Sequence, residues 1–304
     1  LAEQQSWLYL LAIIGLGKYH FLRGSYEESR LYMQQAKALA DQRQDLINML
    51  AMRVNLGALT FTTSLLWDEA SQYYGEALTL AERLGNIRET ARSQLNLGVL
   101  RGWQAPTDGI QLLSTALENA QTHAIHDIET TCQGYLAAIA LYLDDISLAY
   151  SHLTAAQQLL TQFQLDYLQP FINQLWASYY LHKKRHTEAL SWVELAIQVA
   201  QQKKMAQEEG IALRVRGQIY AEIEQPLKAQ ADFEASLNLL STNPFERARV
   251  HLAWASSLPA TSANAAAHHN IQAARAAFQA VHAHRLVQQI DALLQQDSGS
   301  KEPQ

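Results

Sequence analysis

Large apolar residues recur along this chain at helical spacing, and small residues interrupt them at a fixed longer spacing. A small residue is followed about twelve positions later by a second, and seven further on by a third. The series reads Gly17/Ser29/Ala36, Gly57/Ala70/Ala77, Gly98/Gly109/Ala116, Ala137/Ala149/Ala156, Ala177/Ala189/Ala196, Gly217/Ala229/Ser236 and Ala255/Ala267/Ala274. The middle members lie 41, 39, 40, 40, 40 and 38 residues apart. Large side chains such as Leu16, Met33, Tyr74, Leu97, Trp176, Val193, Tyr220, Phe233, Trp254 and Ile271 stand between them as core knobs. A period of this length marks stacked helical pairs.

The spacings carry a physical meaning. Twelve residues separate two helices across a tight turn, so the first two small residues meet where the helices cross and let the backbones approach. Seven residues are two helical turns, which keeps the third small residue on the same face. Two short turns subtracted from the period leave helices of roughly 16 residues, each about 24 Å long. Pro106 and Pro226 fall at the turns inside pairs, Pro170 and Pro244 near helix starts, Pro259 in a loop and Pro303 in the tail. None falls in a predicted helix interior, where it would cost about 3 kcal/mol. Gly24-Ser25, Gly85-Asn86 and Asp144-Asp145 mark further breaks. Ser256–Ala266 reads as a longer loop within the last repeat.

The pattern predicts an all-α, right-handed solenoid of about seven helical hairpins. They span residues 6–43, 44–84, 85–124, 125–163, 164–203, 204–243 and 244–283, with a closing helix at 284–296. Residues 297–304 read as a disordered polar tail. Because a solenoid grows in one dimension, residues 1–296 read as one domain despite the 304-residue length.

The pattern resembles the tetratricopeptide repeat superfamily along nearly the whole chain. Trp67-Asp68-Glu69-Ala70 through Tyr74 and Ala77-Leu78 carry the resemblance, followed by Leu80 to Asn86 and Asn96-Leu97-Gly98. The period resembles the long-repeat variety of kinesin light chains, spindle-orientation adaptors and the sensor regions of bacterial signal-transduction ATPases. Ala273 to Ala283 resembles the closing unit of the bacterial group, with Val281-His282-Ala283 replacing its Leu-Gly-Ala-like break.

The resemblance implies binding along an inner, concave wall made by the first helix of each pair. Positions two, five, six and nine of those helices face the groove in the family. Here they are Lys18, Asn55, Arg92, Asn96, Gln174, Ser178, Arg214, Gln218 and Arg249, with Trp103, Tyr142 and His182 further along the same helices. Asn55 and Asn96 each precede a Leu-Gly pair, as ligand-clamping asparagines do in the resembled adaptors. An amide both donates and accepts, which suits a peptide backbone. The arginines offer planar forks to carboxylates. The alternative is that these are solvated polar positions, or that the arginines pair with acidic residues of neighbouring repeats.

Charge and candidate chemistry narrow the picture. Net charge is −6, which argues against a nucleic-acid or membrane-surface partner. The one cysteine, Cys132, forms no internal disulfide, which suits a cytoplasmic setting. The apolar run Trp7–Leu16 has Glu3 where a signal peptide has basic residues, and it is too short to span a membrane. His182 and His186 flank Lys183-Lys184-Arg185, and neither His268-His269 nor His282/His284 has metal-ligand spacing, so no metal or cofactor is expected. Neither a phosphate loop nor a nucleophile elbow is present, and the chain is not expected to be an enzyme.

The expected partner is a protein or peptide segment, acidic or carboxylate-terminated, or a small inducer. The expected setting is a sensor module cut from a larger bacterial signal-transduction ATPase or transcriptional regulator, as a start at Leu1 suggests. A free-standing scaffold and a non-catalytic accessory subunit are the alternatives.

Overall fold

The computed structural model of the protein describes residues 2–257 and 265–299. Its described residues form fifteen α-helices and one short 3-10 turn, without strands. They run α1 (Ala2–Leu22), α2 (Tyr26–Gln42), α3 (Leu46–Thr63), α4 (Trp67–Arg83), α5 (Ile87–Gln104), α6 (Pro106–Thr122), α7 (His126–Tyr142) and α8 (Ile146–Gln162). After the 3-10 turn Asp166–Leu168 come α9 (Gln169–His182), α10 (His186–Gln202), α11 (Ala206–Glu222), α12 (Pro226–Leu239), α13 (Pro244–Ser256), α14 (Ala265–Ala280) and α15 (His284–Gly299). Successive helices pack as hairpins, and each hairpin stacks on the next. The chain is an all-α helical-repeat solenoid. Most of the expected loop at Ser256–Ala266 and the end of the expected tail, 300–304, lie outside the described residues; α15 itself runs to Gly299.

The small residues sit at the helix crossings. Ser29 Oγ donates to the Gly17 carbonyl at 2.8 Å. A Cβ on Gly57 would lie 2.6 Å from the Tyr74 ring, and one on Gly217 would lie 2.8 Å from that of Phe233. In the third pair Gly109 meets the backbone of Gly102. Ala137, Ala149, Ala156, Ala177, Ala189 and Ala196 are wholly buried. A larger side chain has nowhere to go at such a crossing. Ala189→Leu and Ala229→Leu are each expected to lower stability by about 1–3 kcal/mol in urea denaturation through overpacking.

One turn recurs through the chain. A residue just past the helix end takes a left-handed conformation, and the next amide reaches back five residues. Asp45 N donates to Ala40 O at 3.0 Å, and Arg185 N to Tyr180 O at 2.9 Å. This capping normally selects glycine, as at Gly24 and Gly85. Here Gln44, Ala124, Asp144, Gln164, Lys184, Lys204, Glu224 and His282 hold the same conformation. His282, with φ of 58°, thus takes the glycine's place in the break that Val281-His282-Ala283 replaces. New helices start on side-chain caps where Asp45, Asn86, Asp145 and Asn243 accept amides of the first turn. The prolines 106, 170, 226 and 244 occupy first turns, where no amide is needed.

The solenoid closes on itself. α13 packs against α3, and its Phe245 ring lies 4.6 Å from Trp67 and 5.5 Å from Trp103. Phe278 of α14 stands 5.6 Å from the same ring. Trp67, Tyr74, Leu100, Phe245, Ile271, Phe278 and Ile290 thereby share one core that joins the second and third hairpins to the last. Polar contacts ring it. Gln104 Nε2 donates to the Val281 carbonyl at 3.0 Å, Arg285 reaches Asp144 at 2.9 Å, and His282 stands 3.9 Å from Asp68.

Candidate functional site

Closure turns the inner wall into a chamber. Its volume is 640 Å³, and its wall comes from the first helices α3, α5, α7, α9, α11 and α13, with α15 and adjoining turns. Its apolar part mixes aliphatic side chains with aromatic rings, among them Trp103, Tyr135, Tyr142, Phe171 and Phe245. A chamber of this size and lining suits a compact ligand with a few fixed polar anchors.

Seven of the residues expected on the concave wall line this chamber: Trp103, Tyr142, Gln174, Ser178, Arg214, Gln218 and Arg249, as does His182. Lys18, Asn55, Arg92 and Asn96 do not. Lys18 is exposed on α1, Asn55 and Asn96 are half-buried, and Arg92 pairs with Glu89 on its own helix at 3.0 Å. The chamber therefore takes only the later turns of α3 and α5, at Phe61, Thr62, Val99 and Trp103, and leaves α1 and the earlier turns of those two helices outside.

The polar centre of the chamber is Arg214, Arg249 and Glu246. Arg249 donates to Glu246 Oε1 at 2.7 Å and lies over the Trp103 ring at 4.5 Å. Arg214 is only 7% exposed. Its Nε has no hydrogen-bond partner and stands 3.9 Å from Glu246 Oε2, itself without a hydrogen-bond partner. Its one hydrogen bond is long, 3.4 Å to Gln218 Oε1. Two guanidiniums therefore share one carboxylate, which bonds Arg249 through Oε1 and leaves Oε2 facing Arg214 beyond hydrogen-bond distance. Burial above all, then the neighbouring Arg249 charge, pushes Arg214 down to about 9 against the pull of Glu246. A guanidinium stays charged at neutral pH, so this depression marks a buried cation short of an anion.

Other titratable groups of the wall are disposed around this centre. Glu208 faces Tyr135, whose phenol is pushed up to about 12 by burial, then by Glu246 and Glu208. Tyr142 is likewise pushed up to about 12 by burial, and Arg285 stacks over its ring at 5.4 Å. His182 Nδ1 donates to the Ser178 carbonyl at 2.8 Å. His186 bonds Glu222 at 2.8 Å on the outside of the ring. No group of three His, Cys, Asp or Glu gathers to hold a metal among the described residues.

Cys132 lies in the core between α6 and α7. Burial, helped by the Glu129 carboxylate, pushes its thiol up to about 12. Because the thiolate is the reactive form, iodoacetamide at pH 8 is expected to label Cys132 only when the chain unfolds. Labelling of the native protein as fast as of the denatured chain, followed by mass spectrometry, would refute this placement.

Phe245, Glu246, Glu208, Tyr135 and Phe171 were not among the residues expected on the wall. Phe245 and Glu246 lie in the first turn of α13, where Asn243 caps the helix by accepting the Glu246 amide at 3.0 Å. They enter the chamber because the superhelix brings α13 back to α3. Local spacing carries no signal of that return.

No family model matches the chain, and no curated protein matches it. Solved structures do. A Rap protein complexed with competence and sporulation factor is similar with a TM-score of 0.58 at 11% identity, over 95% of this chain and 99% of that one. BtubC (BKLC) from P. vanneervenii is similar with a TM-score of 0.42 at 15% identity, over 92% of each chain, too low to carry an argument. The first likeness fixes the class of fold, an all-α helical-repeat solenoid. It spans both chains nearly end to end. No helix among the described residues is long and apolar enough to cross a membrane.

Proposed function

We propose that this chain is a binding and sensing module that takes a carboxylate-bearing group of its ligand into the chamber on the inner wall. The carrying observation is Arg214: a buried cation whose Nε makes no hydrogen bond, on a wall of aromatic and aliphatic side chains. An incoming carboxylate would accept from Arg214 while its apolar portion packs on Trp103, Tyr135 and Phe171. Charge-assisted bonds of this kind are about twice as strong as neutral ones. Arg214 and Arg249 share Glu246 at the centre, while Glu208 and Asp144 also line the chamber, so the reading rests on the two cationic forks and not on a net positive wall. An acidic or C-terminal peptide segment and a small organic acid both supply this chemistry. Catalysis is no part of the reading.

The fold-level likeness to a Rap protein complexed with a factor agrees with a binding role. We place the module in the cytoplasm, as the sensor of a larger bacterial signal-transduction ATPase or transcriptional regulator, on the resemblance of its repeats.

Calorimetric titration tests the reading. N-acetyl-phenylalanine is compared with its amide, and peptides ending in phenylalanine with their amidated forms. Each acid is expected to bind at least about tenfold more tightly than its amide, a difference of ~1.4 kcal/mol. Peptide acids that bind while N-acetyl-phenylalanine does not would select a peptide over a small acid. Equal binding of acids and amides, or no binding by any acid, would overturn the carboxylate reading.

A further inference from the structure

The repeat register exposes a second surface at the opposite end of the solenoid. Five residues before the crossing position stand Met52, Ser93, Cys132, Ile172, Ala212 and Val250 in the six later hairpins, each at most 1% exposed. They are buried by the hairpin before them. Met52 packs with Ala36 of α2, and Cys132 with Leu113 and Ala116 of α6. One residue before and two after the crossing, Leu56 and Leu59 pack on Met33 of α2 in the same way. The equivalents in α1 are Ala12, Leu16 and Tyr19. All three are exposed, Leu16 by 40% and Tyr19 by 53%. Tyr9, on the same helix, is 58% exposed.

We propose that this face of α1 is covered by a further helical hairpin of the same repeat, placed directly ahead of α1 in the polypeptide. Such a hairpin would continue an interface that the chain builds six times, between each hairpin and the next. α1 carries apolar residues at the positions that the preceding helix buries in later hairpins, and such a face matches the outer side of a helix like α2 or α6. A second copy stacked head to tail fits less well. Among the described residues of α14 and α15 no large apolar side chain is exposed, so the far end offers no matching face. This proposal is independent of the chamber and of what binds there.

The test supplies such a hairpin. Residues 46–86, carrying α3, α4 and the turn into α5, are spliced directly ahead of Ser6, which stands at the register of Ile87. Hydrogen exchange of the extended chain is compared with that of the parent. Amides of α1 are expected to exchange at least about tenfold more slowly in the extended chain. Leu16→Glu with Tyr19→Glu should abolish that protection in the extended chain and leave melting of the parent unchanged. Exchange that is not slowed, or slowing that survives both substitutions, would overturn the proposal. A stable parent dimer in sedimentation, dispersed by the same pair of substitutions, would assign the face to a second copy and overturn it as well.

Discussion

Phe245→Ala is expected to lower stability by about 3–5 kcal/mol, the range for truncating a buried phenylalanine. The ring is 3% exposed and sits among Trp67, Trp103 and Phe278. Its loss removes the centre of the core that joins the last hairpin to the second and third. An open solenoid transmits such a loss only to adjacent repeats, since stability there is a sum of local and nearest-neighbour terms. A closed ring transmits it across the chain. Hydrogen exchange on Phe245→Ala should therefore show faster opening in α3 to α5 as well as in α13 to α15. Faster opening confined to α12 to α15 would mean that the contact with Trp67 contributes little.

Arg214→Met is expected to behave in the opposite sense. Removing one member of a buried pair costs ~3–5 kcal/mol when it strands the other charge, whereas taking out buried charge with no partner left stranded, as when a whole pair is replaced by apolar residues, is often neutral or stabilising by about 1–4 kcal/mol. Arg214 belongs to the second case. Its Nε makes no hydrogen bond, and Glu246 keeps Arg249 as a partner at 2.7 Å. The melting midpoint should hold or rise, while the preference for acids over amides disappears. A variant destabilised by several kcal/mol would show that Arg214 serves the fold, and the proposed carboxylate contact would fall with it.

The architecture was legible because the repeat is written in residue size. Gly57, Gly98 and Gly217 face a neighbouring side chain at the distance where a Cβ would intrude, so the spacing of small residues records the helix crossings directly. The turns were less legible. Lys184, Lys204 and Glu224 adopt a conformation that glycine would advertise, and their identities say nothing about it. Closure was not legible at all. It depends on the sum of small rotations between hairpins, and no single hairpin encodes the sum.

The same fact explains what was and was not read of the site. The register placed Arg214, Gln218, Arg249, Gln174 and Ser178 on first helices, and the structure puts them on one chamber wall. It treated Lys18, Asn55, Arg92 and Asn96 as equivalent, but those positions lie outside the chamber that the ring encloses. The partners that define the electrostatics, Glu246 above all, stand in the first turn of α13 and acquire meaning only beside Arg214 of α11.

The closed ring is the claim on which the chamber rests, and cross-linking tests it most directly. Asp68 and His282 are 214 residues apart in sequence, yet their side chains meet at 3.9 Å on the exposed rim of the closure. Asp68→Cys with His282→Cys is treated with a short bis-maleimide at neutral pH, where buried Cys132 stays silent. The account predicts a rapid intramolecular cross-link in the dilute native protein, lost in urea. Two singly modified cysteines and no cross-link, in a protein of unchanged helicity, would show an open solenoid and contradict it.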